Sequence, residues 1–359
     1  MRLAKAVAIG AIALLGLDAC ASAATSASAA AAPAAESPVR ESTVRESQVR
    51  AIMSVLADDS LEGRMTGSRG SAKAATFIAQ QMRAIGLVPF GDSGYFQRVP
   101  IALTRRSNGQ ERLTLLNDFA ALDTFAIDHR RPGVNVVGMI RGTDTALARE
   151  VVLVDAHYDH LGIGRAVDGD SIYNGADDDA SGTTAVIEIA RSIAAGPPPK
   201  RTILFVATTG EEVGLLGTRW FIEHPPVSLK AIVSNLEIEM IGRPDSLAGG
   251  PGRAWLTGYA RSSMGASFTA AHLPIVADAR PDQHFFERSD NIAYARMGIP
   301  AHTLSTFNLH TDYHRPSDEL SRIDFGHMTR VIQAGAQAVR ILADGPAPHW
   351  NPGGQPAPR

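Results

Sequence analysis

Apolar residues recur at spacings of three and four from Val49 through Ile52, Met53 and Leu56, which predicts a helix that buries one face. The same period returns in Ala75, Ile78, Met82 and Ile85, and Gly86 then supplies a helix stop. Further along the pattern changes. Residues 134–140, 151–156, 203–208 and 231–234 are short runs dense in β-branched and aliphatic side chains, without polar alternation. Such runs suit strands covered on both faces. Helical stretches at 180–194, 215–223 and 325–342 lie between and after them. Strands alternating with helices predict an α/β protein, a three-layer α/β/α sandwich around a mixed, mostly parallel central sheet. The connection from 97 to 131 is weakly patterned, with only short strand-like pieces.

The ends of the chain carry a different composition. Arg2 and Lys5 precede an apolar run at 6–17 that is too short to span a bilayer, so residues 1–20 are expected to be a signal peptide. Leu17-Asp18-Ala19-Cys20 resembles a bacterial lipobox, which would make the mature protein an exported lipoprotein, periplasmic or anchored at the outer membrane. Cleavage beyond it, at Ala21-Ser22-Ala23, would release a secreted form. Residues 21–37 are nearly all Ala and Ser and are expected to be a disordered tether. Residues 345–359 hold five prolines and three glycines and are expected to be a disordered tail. Residues 38–344 remain for a single domain, expected to be a monomer. Cys20 is the one cysteine, which excludes a disulfide within the chain. The 34 Lys and Arg nearly balance 37 Asp and Glu, so there is no electrostatic case for nucleic acid.

Chemistry gathers just after the expected strands, where open α/β sheets place their sites. The run 151–156 leads into His157-Tyr158-Asp159-His160, in which residues two apart point the same way along an extended chain. Asp159 is thereby placed to hold the ring nitrogen of His157 that faces away from a metal. Asp177-Asp178-Asp179 precede a helix, where carboxylates favour the helix N-terminus but also repel one another unless a cation relieves them. Glu211-Glu212 follow the run 203–208. Glu237 and Glu239 share a face among Leu, Ile and Met. His314 lies in Asp312-Tyr313-His314-Arg315-Pro316-Ser317-Asp318. Taken together, His157, Asp177, Glu212, Glu239 and His314 offer two imidazoles and three carboxylates. That donor set suits two zinc ions, with manganese or cobalt also compatible.

At these residues the chain resembles the dinuclear zinc aminopeptidases, a family related to glutamate carboxypeptidase and glutaminyl cyclase. The resemblance runs from about residue 56 to 342. It is carried by Leu61-Glu62-Gly63-Arg64, Gly86-Leu87-Val88-Pro89, His157-Tyr158-Asp159-His160-Leu161-Gly162, the stretch 174–182, the stretch 210–217 and Tyr313 to Asp318. It implies the zinc-peptidase fold, with Asp177 bridging two zinc ions. His157 and Glu239 would complete one site, and Glu212 and His314 the other. It further implies Glu211 as general base, Asp159 as the partner of His157, a cis peptide at Asp177-Asp178, and peptides with a free N-terminus as substrates of a metal-activated hydroxide. The family often has Asp at the position of Glu239 and His at that of Asn291. Tyr313, Tyr294 and the stretch 243–291 are candidates for the pocket wall. Rival readings are a metallo-carboxypeptidase using Arg243 or Arg288, a glutaminyl cyclase, and a non-catalytic ectodomain.

Overall fold

The computed structural model describes residues 44–358, so the leader, the lipobox cysteine and the tether expected over 1–37 lie outside the described residues. Strands β1 (Val88–Pro89) and β2 (Phe96–Val99) are short, and β3 (Ile101–Arg105) and β4 (Glu111–Leu115) form a hairpin of their own. They are followed by β5 (Gly133–Ile140), β6 (Val151–His157) and a second hairpin, β7 (Gly162–Val167) with β8 (Asp170–Tyr173). The remaining strands are β9 (Thr202–Thr208), β10 (Ile232–Glu239), β11 (Ala254–Leu256), β12 (Ile275–Ala277) and β13 (Ala301–Ser305). The main sheet runs β1-β5-β9-β6-β10-β13-β11-β12, with β2 also paired to β5. Its four central strands β9, β6, β10 and β13 are parallel. Within this sheet, antiparallel pairing is confined to β1 and β2 on β5, β5 on β9, and β11 on β13. The four parallel strands therefore end on the same edge.

The helices are α1 (Glu46–Leu56), α2 (Arg69–Ile85), α3 (Phe119–Asp123), α4 (Gly182–Ala195), α5 (Leu216–Glu223), α6 (Ser263–Ala270), α7 (Asn291–Arg296) and α8 (Phe325–Asp344). Alternation along β6 shows how the layers form. Val152 and Val154 face the cluster built with α1, α2, α4 and α8, whereas Val151 and Leu153 face the one built with α5 and α7. The strands read as unbroken apolar runs because both faces are covered. Helix α2 stops where expected, at Gly86, whose φ of 88° is left-handed.

Two differences from the sequence expectations have plain causes. Strand β10 extends beyond residue 234 through Glu237, paired with both β6 and β13, to Glu239, paired with β13, so these acids interrupt the apolar run without ending the strand. The tail is packed rather than loose. Trp350 donates its indole N–H to the Gly298 carbonyl and meets Phe286 edge-on, and Asn351 N–H donates to the Arg261 carbonyl. A proline-rich composition concealed one aromatic anchor. The hairpin β3–β4 fills part of the weakly patterned connection and packs Ile101 and Leu113 on Leu216 and Trp220. Among the described residues no helix is long and apolar enough to cross a membrane.

Candidate metal centre

The shared edge of the parallel strands gathers the chemistry. His157 is the last residue of β6, Glu239 the last of β10, and Glu211 and Glu212 follow β9 across a turn at Gly210. His310 and His314 come from the loop after β13, and the three aspartates from the turn 176–181 that enters α4. Buried Arg64 ties the surrounding loops together by donating to the carbonyls of Leu56, Tyr158, Asn174 and Gly175.

The three aspartates divide their work. Asp179 Oδ1 accepts the N–H groups of Gly182 and Met240, both at 2.9 Å, which pins the start of α4 to the end of β10. Asp177 Oδ1 accepts from Gly242 N–H at 2.7 Å, and its Oδ2 lies 3.0 Å from His310 Nε2. Asp178 alone is turned toward the strand ends. Its Oδ1 is 3.3 Å from His157 Nε2, and its Oδ2 is 3.2 Å from His314 Nε2 and 3.9 Å from His160 Nδ1. The residue between the two histidine groups is thus Asp178, a correction to Asp177. Successive side chains on this turn leave the backbone in different directions, and Asp177 is directed into structural hydrogen bonds. The cis peptide likewise lies at Asp178-Asp179, not Asp177-Asp178.

Two donor sets result. His157, Asp178 and Glu239 form one, with His157 Nε2 also 3.9 Å from Glu239 Oε1. Asp178, Glu212 and His160 form the other, joined by His314 at 3.2 Å from Glu212 Oε2. His157, Glu212, Glu239 and His314 therefore converge as the sequence spacing suggested, and Asp177 does not join them. His160 escaped sequence reasoning although it stands in the same motif as His157. Its three-residue offset from His157 was the available signal.

Asp159 differs in detail from the expectation. The contact on His157 Nδ1 is the Asp159 backbone carbonyl at 3.1 Å, and the carboxylate is 3.9 Å away. That carboxylate accepts instead from Thr66 Oγ1 at 2.8 Å and from Glu211 N–H at 3.2 Å, so it holds the turn that carries Glu211. Asp318 accepts the N–H groups of Asp177 and Asp178, and Arg243 clamps it at 3.0 Å while holding Asp312 at 2.6 Å. Asn291 is buried and donates to the Phe286 carbonyl. Tyr294 is fully buried in the core against Phe221, which removes it from the pocket wall. Tyr313 stacks on His314 and lines a recess with Glu239, Trp255, Phe285 and Phe307, and Arg288 lines the same recess.

The electrostatics fit cations. Burial pushes the Glu211 carboxyl well above the usual carboxylate range, opposed by His157 and reinforced by Glu239, Asp290 and Glu212. Asp178 is held well below it, because contacts with His157 and His314 outweigh its burial. His314 is raised to about 10: burial opposes the charge, but Asp178 and Glu212 draw a proton onto the ring. The same negative field would be met by divalent cations bound to neutral imidazoles. His157 Nε2, His314 Nε2, Glu212 Oε1 and both ring nitrogens of His160 are buried without hydrogen-bond partners. Orphaned nitrogen and oxygen donors of this kind fit zinc.

The model for Peptidase family M28 matches residues 135–339, which include all four strand ends. Among curated proteins, a vacuolar membrane protease of Clavispora lusitaniae is 25% identical over 214 residues, 58% of this chain and 19% of that protein. Aminopeptidase YwaD of Bacillus subtilis is 32% identical over 109 residues, 30% of this chain and 22% of the relative. The chain thus aligns with about a fifth of the length of each. Among solved structures, BSAP, a zinc aminopeptidase from Bacillus subtilis, superposes with a TM-score of 0.61 at 17% identity, covering 85% of this chain and 97% of that one. The likeness in fold and the match across the site agree, and this chain belongs to peptidase family M28.

Proposed function

We propose that this metallopeptidase is an exported aminopeptidase that removes N-terminal residues from peptides, using two zinc ions and Glu211 as general base. One observation carries the reading: the Asp178 carboxylate stands between two separate donor sets, with Glu211 on the adjoining turn. In it, His157, Glu239 and Asp178 hold one cation, and Glu212, His314 and Asp178 the other. When bound, the zinc pair supplies Lewis acidity toward the scissile carbonyl and makes water more acidic. Glu211 accepts a proton from that water and returns it to the departing amine. The Asp159 carboxylate keeps the Glu211 backbone in place. The recess lined by Trp255, Phe285, Phe307 and Tyr313 would receive an apolar N-terminal side chain.

Arg243 is committed to Asp312 and Asp318, which argues against its serving as the anchor for a terminal carboxylate in a carboxypeptidase. The test is a panel of aminoacyl chromogenic substrates, with free and blocked N-termini, assayed with zinc, with chelator and after zinc is restored. Turnover of free-amine substrates that disappears with chelator and returns with zinc is expected. Glu211→Gln should retain zinc and lose about 10²-fold or more in kcat. Zinc-loaded protein that cleaves no free-amine substrate would overturn the proposal.

A further inference from the structure

His160 is buried with its whole ring inside the protein, and its Nδ1 lies 2.7 Å from Glu212 Oε1. That contact lacks the alignment of an N–H···O bond, and neither ring nitrogen finds another partner. A buried imidazole with both nitrogens unsatisfied is costly, because each has given up water without gaining a partner. Glycine at 175 leaves room beside the ring. There, at φ of +56°, a Cβ would stand 2.5 Å from His160 Cγ. On the other side of the same carboxylates, His314 Nε2 is 3.2 Å from Glu212 Oε2 and 3.2 Å from Asp178 Oδ2. Zinc bonds of about 2.0–2.1 Å at tetrahedral angles space ligand atoms by roughly 3.3 Å. The separations of 2.7, 3.2, 3.2 and 3.9 Å among these four side chains bracket that value.

We infer that His160 is a further ligand of the cation beside Glu212, closing a shell of two imidazoles and two carboxylates with His314, Glu212 and Asp178. The inference rests on the two-zinc reading above. The other cation has only His157, Glu239 and the shared Asp178, and keeps an open position. Four protein ligands mark a retained ion and three an open, reactive one, so the two ions differ in affinity. The ion beside Glu212 is the tighter.

X-ray absorption at the zinc edge of the wild-type protein loaded with two equivalents reads the imidazole count without any substitution. Three rings shared by two ions give an average of about 1.5 per zinc, whereas a single ring for each ion gives about 1. Cobalt titration of His160→Gln and His160→Asn, followed by visible absorption, supplies the second readout. Thermal unfolding identifies any variant that no longer folds. We expect the tight class to weaken beyond the about 10–100-fold that loss of an outer hydrogen-bond partner brings, and its absorption bands to change. The weaker class stays as it was. A wild-type count of one imidazole per zinc, or folded variants that bind both cobalt ions with wild-type affinity and spectrum, would remove His160 from the shell and leave the two-zinc reading intact. Wild-type protein that takes up neither zinc nor cobalt would sink both.

Discussion

Three identical side chains in a row, Asp177, Asp178 and Asp179, meet three different environments. Asp177 Oδ1 and Asp179 Oδ1 accept backbone N–H groups, Asp177 Oδ2 meets His310, and only Asp178 faces imidazoles on both sides. Asp178→Asn is therefore expected to abolish binding of both metals, and Asp177→Asn to keep both with affinity lowered about tenfold, as for a supporting hydrogen bond. Metal analysis after dialysis checks both. Retention of two ions by Asp178→Asn would contradict the assignment. The sequence located this cluster by residue type but not its middle member, because carboxylate chemistry is the same at all three positions. Only the backbone path of the turn distinguishes them. Asp159 teaches a related lesson. Its spacing from His157 predicts a carboxylate on the ring, whereas the backbone carbonyl makes that contact and the carboxylate serves the Glu211 turn.

Among the elements, the site exists because four parallel strands end on one edge, where the last residues of β6 and β10 meet the loops that follow β9 and β13. The long helices and apolar strands were legible from period alone. The short strands β11 and β12 and the hairpins were not, since three to six residues carry too little pattern. The loop 312–318 acts as a clamp, with Asp318 gripping the backbone of the Asp177-Asp178 segment and Arg243 balancing its charge. Removing a buried carboxylate of this kind strands the two N–H groups and leaves Arg243 with Asp312 as its near partner. Asp318→Ala should cost about 3 kcal/mol or more, measured by chemical unfolding, and weaken zinc binding as well. Wild-type stability together with wild-type zinc affinity would show that the clamp has no such role.

For the whole molecule, acid should be an enemy even away from the metals. Burial lowers His302 to about 4, where its ring is engaged by the Thr257 carbonyl and Ser262 Oγ, each at 2.7 Å. Burial likewise lowers His327 to about 4, where its Nδ1 accepts from Gly252 N–H at 2.8 Å. Both are neutral when folded and take up a proton near pH 6.5 when unfolded, so the unfolded chain binds more protons as pH falls. Their stabilisation is complete above pH 6.5 and is lost progressively toward pH 4, by at most about 1.4 kcal/mol per pH unit for each. In urea unfolding, His302→Gln should flatten the acid-side slope relative to wild type. An unchanged slope would contradict it.

The arrangement as a whole stands or falls on where metal sits. An anomalous difference map at the zinc absorption edge, from crystals of the zinc-loaded protein, is the most direct measurement. Two peaks are expected, both within bonding distance of the Asp178 carboxylate, one beside His157 and Glu239 and the other beside Glu212 and His314. A single peak, or a peak coordinated by Asp177 in place of Asp178, would contradict it.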